Sequence, residues 1–294
     1  TTEYDKLGRK IAYVDEENKR TEYTYDCSGK LTSVKDAMGN ITSYGYDLAG
    51  NMVSQTDAEG KVTTYTYDNM NRRKTRTMPE GQVEYYNTYD ATGNLTSKTN
   101  FNGQTITYTY NSITDRLISK SGSGINVSFS YDAFGRRASM TDASGTTSYD
   151  YDTRNRIIEK TTPIGTISYT HTNGLLTRIS SNNVNGVSLT YGYDTQSRLQ
   201  TVTDNRLSKT TNYDYWSNGS LKTCTYPNQI QHNWAYNSRN RLTNLTIKNT
   251  MTNTVYKSFE YTVGVSGNRT KVVEDSGREI NWTYDNLYRL TQEN

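Results

Sequence analysis

Histidine is almost absent from this 294-residue chain, which has only His171 and His232. A catalytic imidazole needs an oriented partner, and neither GxSxG nor HExxH occurs to supply one. Both histidines therefore read as replacements of an aromatic or surface residue. Cysteine is as scarce. Cys27 and Cys224 lie far apart and neither sits in a CxxC pair, which excludes a disulfide framework and a metal knuckle. No apolar run approaches the ~20 residues of a membrane-spanning helix, so membrane insertion by this segment is not expected. Charge of one sign is lacking too: the net value is +3. Such a weak field argues against nucleic acid or an acidic membrane as partner. Hydrophobic residues make up only 32% and mean hydropathy is -0.90, values that would suit a disordered chain.

Disorder is contradicted by what is present. There are 27 tyrosines, about three times an ordinary share, and threonine is abundant. Tyrosine buries a large ring while scoring as polar. The composition describes a folded, β-rich chain that buries rings and methyl groups.

The tyrosines are periodic. "YTYDCSGKLTSVKDAMGN" at 23–40 is followed by "YGYDLAGNMVSQTDAEGK" at 44–61 and "YTYDNMNRRKTRTMPEGQ" at 65–82. The second tyrosine of each block falls at Tyr4, Tyr25, Tyr46, Tyr67, Tyr89, Tyr110 and Tyr131, at intervals of 21 or 22. The phase then loosens through Tyr151, Tyr169, Tyr193, Tyr215, Tyr236, Tyr261 and Tyr284. We count fourteen copies over 1–294, with no linker between them, and expect a single array without a domain boundary. The chain begins and ends inside a repeat, so it reads as a piece of a longer polypeptide whose targeting signal lies elsewhere.

Each copy predicts two strands and two turns. The aromatic-x-aromatic step puts two rings on one face of a strand, whereas a helix would splay them by about 200°. The first turn follows at once, with Asp26, Asp47, Asp68, Asp90, Asp132 and Asp285 after their tyrosines and Gly29, Gly50, Gly93 and Gly135 three residues on. Asp organises its own turn and Gly accepts positive φ. All three prolines, Pro79, Pro163 and Pro227, fall in the second turn, where Pro is favoured and a central strand is not damaged. The expected fold is all-β: tandem hairpins of about 21 residues, 26–28 strands, in one long antiparallel sheet. Because open sheets rarely exceed ~10 strands, this one should wind into a spiral, hollow shell or tube, with aromatic rings stacked in columns on one face.

Other chemistry is weaker. The aligned Asp residues could form a column that collects Ca²⁺, but a closely spaced DxDxDG pattern is missing and turn-making explains them. Arg72, Arg73, Lys74, Arg76, Arg136 and Arg137 among tyrosines suggest single-strand nucleic-acid binding, yet a solvated strand face explains them better. Trp216, Trp234 and Trp282 are the candidates for stacking on a sugar ring. No residue is singled out as catalytic, cofactor-binding or metal-binding.

The unit "YxYDxxGxLTSVxDxxGN" resembles the YD repeat of the RHS (rearrangement hot spot) proteins. That repeat is also known from bacterial toxin-complex shells, wall-associated proteins and animal teneurins. The resemblance covers the whole chain and fades between about 165 and 270, where His171 and Asn173 replace Tyr-Asp and the Asp after Tyr261 is missing. It implies a spiralling β-sheet closed into a hollow shell that encloses a C-terminal toxin polypeptide. The partners would be that cargo or flanking shell repeats, in a secreted or surface-delivered bacterial protein with no turnover. The alternative is a cell-surface adhesin or glycan-binding module. The self-cleaving core of cargo-releasing members has no counterpart here, so no cleavage activity is carried over.

Overall fold

The computed structural model describes all residues, 1–294. It contains 28 strands and no helix. The chain divides into two units, Thr1–Thr146 and Thr147–Asn294. The first holds β1 (Thr2–Tyr4) to β14 (Arg137–Asp142); the second begins in β15 (Gly145–Tyr151) and ends with β28 (Leu290–Glu293). Within each unit contacts run between strands consecutive in sequence, and the pairs are antiparallel.

One copy shows how the residues build this. Strand β3 (Arg20–Tyr25) pairs with β4 (Leu31–Lys35) through Tyr23↔Val34 and Thr24↔Ser33. The register then slips and Tyr25 faces Leu31, leaving Thr32 as an extra residue in a bulge. The turn between them is closed by two backbone bonds: Gly29 N–H donates to the Asp26 carbonyl at 3.1 Å, and Asp26 N–H to the Lys30 carbonyl at 2.9 Å. Gly29 stands at φ 83, the left-handed residue that a type I turn with a G1-type bulge requires. The second turn, Asp36 to Asn40, repeats the same two bonds. Pro79 occupies the first central position of such a turn, between Met78 and Gly81.

Period-two alternation sorts the side chains. One face carries the rings. The other carries hydroxyl pairs across strands, such as Thr24–Ser33, Thr66–Thr75 and Ser130–Ser139, each at 2.7 Å. Burial is shallow. Only Ala12, Tyr65, Cys224, Val272 and Glu84 are buried. The chain leaves 18279 Å² accessible, against ~12,700 Å² for a typical folded monomer of this mass.

Two expectations are corrected. Tyr169 and Tyr261 are not the repeat anchors. The anchor is the residue at the bulge, and the register slips at His171 and Val263; Tyr169 and Tyr261 occupy the preceding aromatic slot. Nor are ring columns the rule. Phe259 stacks on Tyr261 with centroids 6.3 Å apart, whereas Tyr25, Tyr46, Tyr89 and many other rings lie under a cation.

Candidate functional site

The repeated chemistry lies at the seam between one hairpin and the next. Strand β4 pairs with β5 (Ile41–Tyr46) only through Ser33, Val34 and Lys35. Towards the YD turn the two strands are no longer laddered, and the carbonyl of Leu31 faces the gap. The hydroxyl of Tyr46 donates to that carbonyl at 2.9 Å. The arrangement recurs at Tyr25→Lys10 (2.8 Å), Tyr67→Met52 (2.9 Å), Tyr89→Arg73 (2.6 Å) and Tyr131→Leu117 (2.9 Å). In the second unit Tyr193, Tyr215 and Tyr284 do the same to Leu176, Leu199 and Arg269. Buried backbone carbonyls need a partner, and here a side chain from the next copy supplies it.

The Asp after each tyrosine acts within its own turn. Asp68 Oδ1 accepts the N–H groups of Met70 and Arg72, both at 2.9 Å. Its second oxygen takes Arg72 Nε at 2.7 Å. Asp132 and Asp285 hold Arg136 and Arg289 in the same way, and Asp47 and Asp90 hold Asn51 and Asn94. Donation from backbone N–H and then from the arginine holds the carboxyl of Asp152 down at about 2. Backbone N–H donation from the arginine four residues on likewise leads in lowering Asp5, Asp68 and Asp194. Gly50, Gly93 and Gly135 have φ of 95, 95 and 79.

Where a cation ends the turn it completes the seam, a role that reading along the chain did not suggest. Arg9 lies over the Tyr25 ring at 4.9 Å, Lys30 over Tyr46 at 5.3 Å, Arg72 over Tyr89 at 4.6 Å and Arg198 over Tyr215 at 4.8 Å. In these copies the cation caps the next tyrosine's ring and the following carbonyl accepts its hydroxyl, whereas Asn51, Asn94 and Ser220 stand at the cation's position in other copies. The basic cluster is engaged there too. Arg73 covers Tyr65, Arg76 covers Phe101, Arg136 covers Phe134 and Arg137 covers Phe129. Lys74 alone of those six residues has no ring assigned to it.

Two of the three tryptophans, Trp216 and Trp234, meet at one hydrogen bond. Trp216 occupies the Asp slot of its turn, lies under Lys222 at 4.7 Å, and donates Nε1 to the Trp234 carbonyl at 3.1 Å. Trp282 donates Nε1 to Glu293 at 2.7 Å. His232 stands between Tyr226 and Trp234, edge-on to both. His171 fills an anchor slot and leaves its buried Nδ1 without a partner. No group of three or more His, Cys, Asp or Glu could hold a metal ion. The depressions on the sheet are grooves between adjacent hairpins, one lined by Asp194, Arg198, Tyr213, Asp214 and Lys222.

The RHS Repeat family model matches residues 28–61, 46–83, 89–120, 114–147 and 131–167. No curated protein matches. Among solved structures, the crystal structure of TcdB2-TccC3-Cdc42 is similar over 100% of this chain and 19% of its own, at 15% identity and a TM-score of 0.80. That of TcdB2-TccC3-TEV is similar over 99% of this chain and 21% of its own, at 14% identity and a TM-score of 0.66. A Photorhabdus luminescens Tc holotoxin pore gives 99%, 21%, 14% and 0.55. The chain therefore spans about a fifth of the length of the solved chains it matches. At these identities the likeness establishes the fold. The family model covers 28–83 and 89–167, a little under half of the chain, so this part is similar to RHS repeats, and the same hairpin continues over the remainder.

Proposed function

We propose that this chain is a stretch of β-wall from a large secreted or surface-delivered bacterial RHS protein. The wall encloses and shields a C-terminal toxin polypeptide. Its action is steric, without turnover, and its immediate partners are flanking repeats of the same protein and the enclosed polypeptide. The observation that carries this reading is the seam. Hairpin after hairpin leaves a carbonyl that a tyrosine hydroxyl of the next hairpin satisfies, so the design extends a wall and does not close a small domain. No side-chain constellation with a nucleophile and an oriented base accompanies it. The likeness to toxin-complex structures supports the same reading.

Small-angle scattering tests it. A typical globular chain of this length has a radius of gyration near ~19 Å. A value modestly above that, with a distance distribution depleted at the centre, supports a hollow wall. A rod-like profile overturns it in favour of a fibrous adhesin.

A further inference from the structure

The residue that ends a YD turn comes in two kinds, and the left-handed residue of the next turn varies with it. Within Thr1–Thr146 a cation precedes glycine at Arg9/Gly29, Lys30/Gly50, Arg72/Gly93 and Arg116/Gly135. Asn51 instead precedes Asn71, and Asn94 precedes Asp115, with φ of 60 and 53. Within Thr147–Asn294 Arg198 precedes Gly219, Ser220 precedes Asn240 and Arg241 precedes Gly267. The hairpin of Gly165–Ser181 turns in a two-residue loop at Asn173 and Gly174 and stands outside the series. Arg136 before Asn155 and Asn268 before Tyr288 are the two departures.

Glycine, asparagine and aspartate all accept positive φ, so the turn alone does not choose among them. The residue across the seam does. Asn51 Nδ2 donates to Asn71 Oδ1 at 2.8 Å, Asn94 Nδ2 to Asp115 Oδ1 at 3.3 Å, and the Ser220 hydroxyl to Asn240 Oδ1. A glycine has no side-chain acceptor for such a bond. An arginine reaches further. Arg9, Arg72, Arg198 and Arg241 send Nη1 to the carbonyl of the first residue of the next turn, at 3.3, 3.4, 3.2 and 2.8 Å. The cation then takes the space beside the left-handed residue. A Cβ on Gly135 would fall on the Arg116 guanidinium, one on Gly50 would lie 2.8 Å from Lys30 Nζ, and one on Gly267 3.4 Å from Arg241 Nε. At Gly93 and Gly219 a Cβ meets nothing within 4 Å, so the exclusion is strongest at Gly50 and Gly135.

We propose that these two positions form a pairing rule that decides which hairpin can stand beside which. A turn ending in a cation takes a neighbour with glycine at the left-handed position. A turn ending in an amide or hydroxyl takes one with Asn or Asp there. The rule rests on flanking repeats being the immediate partners, as proposed above, and it names the side chain such a repeat must present. Arrays of similar hairpins are prone to misassembly and swapping, and specificity then comes from penalising the wrong neighbour. A slip by one copy would set Lys30 against Asn71, Asn51 against Gly93 and Asn94 against Gly135, each a mismatch under the rule.

The experiment is a double-mutant cycle in the full chain, read by native-state hydrogen exchange in the Ser54–Thr56 and Val62–Thr64 ladder. Asn51→Arg removes the amide bond and sets a cation against Asn71, so exchange should quicken by about fivefold. Asn71→Gly loses the same bond and should quicken it by a similar factor. Together they rebuild a cation–glycine step, and exchange should return to within about twofold of the wild type. Effects that simply multiply overturn the rule, as does an Asn51→Arg variant that exchanges like the wild type. Gly50→Asn with Lys30→Asn runs the cycle in the opposite sense, read in the Ser33–Lys35 and Ile41–Ser43 ladder. There the double variant should be better protected than the product of the two single effects; equal or poorer protection overturns the rule. Each cycle reads two neighbouring hairpins only, so its failure leaves the wall itself to be decided by the scattering profile.

Discussion

Replacing Tyr67 by Phe removes one hydroxyl and leaves its ring in place. That hydroxyl donates to the Met52 carbonyl at 2.9 Å, across the gap where strands β6 (Met52–Thr56) and β7 (Val62–Tyr67) have ceased to pair. A net hydrogen bond of this kind contributes about 0.5–1.5 kcal/mol. Water can reach the half-exposed seam and take part of the bond's place, so the lower half of that range is expected. Each kilocalorie speeds exchange of the amides it protects by about fivefold. Native-state hydrogen exchange should therefore show about two- to fivefold faster exchange in the Ser54–Thr56 and Val62–Thr64 ladder. Amides several repeats away should be unchanged, because stability in a repeat array is a sum of neighbour terms. Tyr67→Ala also removes the ring. A fully buried ring costs ~3–5 kcal/mol, and this one is half-buried, so about half of that is expected. Unchanged exchange in the Phe variant would show that the hydroxyl bond does not hold the seam. A loss spread evenly over both units would refute neighbour-only coupling.

Gly50→Val should lower the melting temperature through strain of about 1–2 kcal/mol, since φ is 95 and an added Cβ would meet Lys30 Nζ at 2.8 Å; an unchanged transition refutes it. A thiol reagent should titrate the exposed Cys27 at once. Cys224, buried and with its thiol pushed up by that burial, should react only in denaturant; two rapid thiols in the native state would contradict the assigned burial. His171→Tyr should stabilise its hairpin by about 1 kcal/mol, because a tyrosine there can donate to the Ile157 carbonyl; slower exchange around β17 (Gly165–Thr172) is the readout, and faster exchange refutes the slot assignment. Asp5, Asp68, Asp152 and Asp194 are held below their ordinary range. Their contribution is complete above the unfolded value near ~4 and lost as pH falls through the folded values, about 2 for Asp152. Melting temperature should be flat from neutral pH to ~5 and fall below ~4; a fall beginning near pH 6 would assign the loss to other groups.

The hairpins were legible because their signals are local. Rings two apart, Gly or Asn at the left-handed position and Pro confined to turns are properties of a few consecutive residues, and the 28 strands follow from them. The seam was not legible, because it joins residues about seventeen apart in sequence that the ladder brings side by side. Read along the chain, Arg72 and Arg73 look like a basic patch. Across the sheet each covers a different ring. The anchor slots at His171 and Val263 were hidden for a related reason. The slot is defined by where the register slips, and a ring two residues earlier imitates it.

The turns that depart from the motif show which part of it is indispensable. Trp216, Asn237 and Gly264 stand where Asp stands elsewhere, yet each turn closes with the same pair of backbone bonds. Gly219 N–H meets the Trp216 carbonyl at 2.9 Å, Asn240 N–H meets that of Asn237 at 2.9 Å, and Gly267 N–H meets that of Gly264 at 3.1 Å. The carboxylate therefore strengthens a turn that the left-handed residue already permits, at Gly219, Asn240 and Gly267 with φ of 88, 58 and 102. The cation is similarly exchangeable. Lys30 covers Tyr46 as Arg9 covers Tyr25, although only the arginine also donates a side-chain N–H to the Asp of its own turn. What each copy must preserve is a left-handed residue at the turn and a seam carbonyl left open by the bulge. Those requirements leave the tips without a structural constraint.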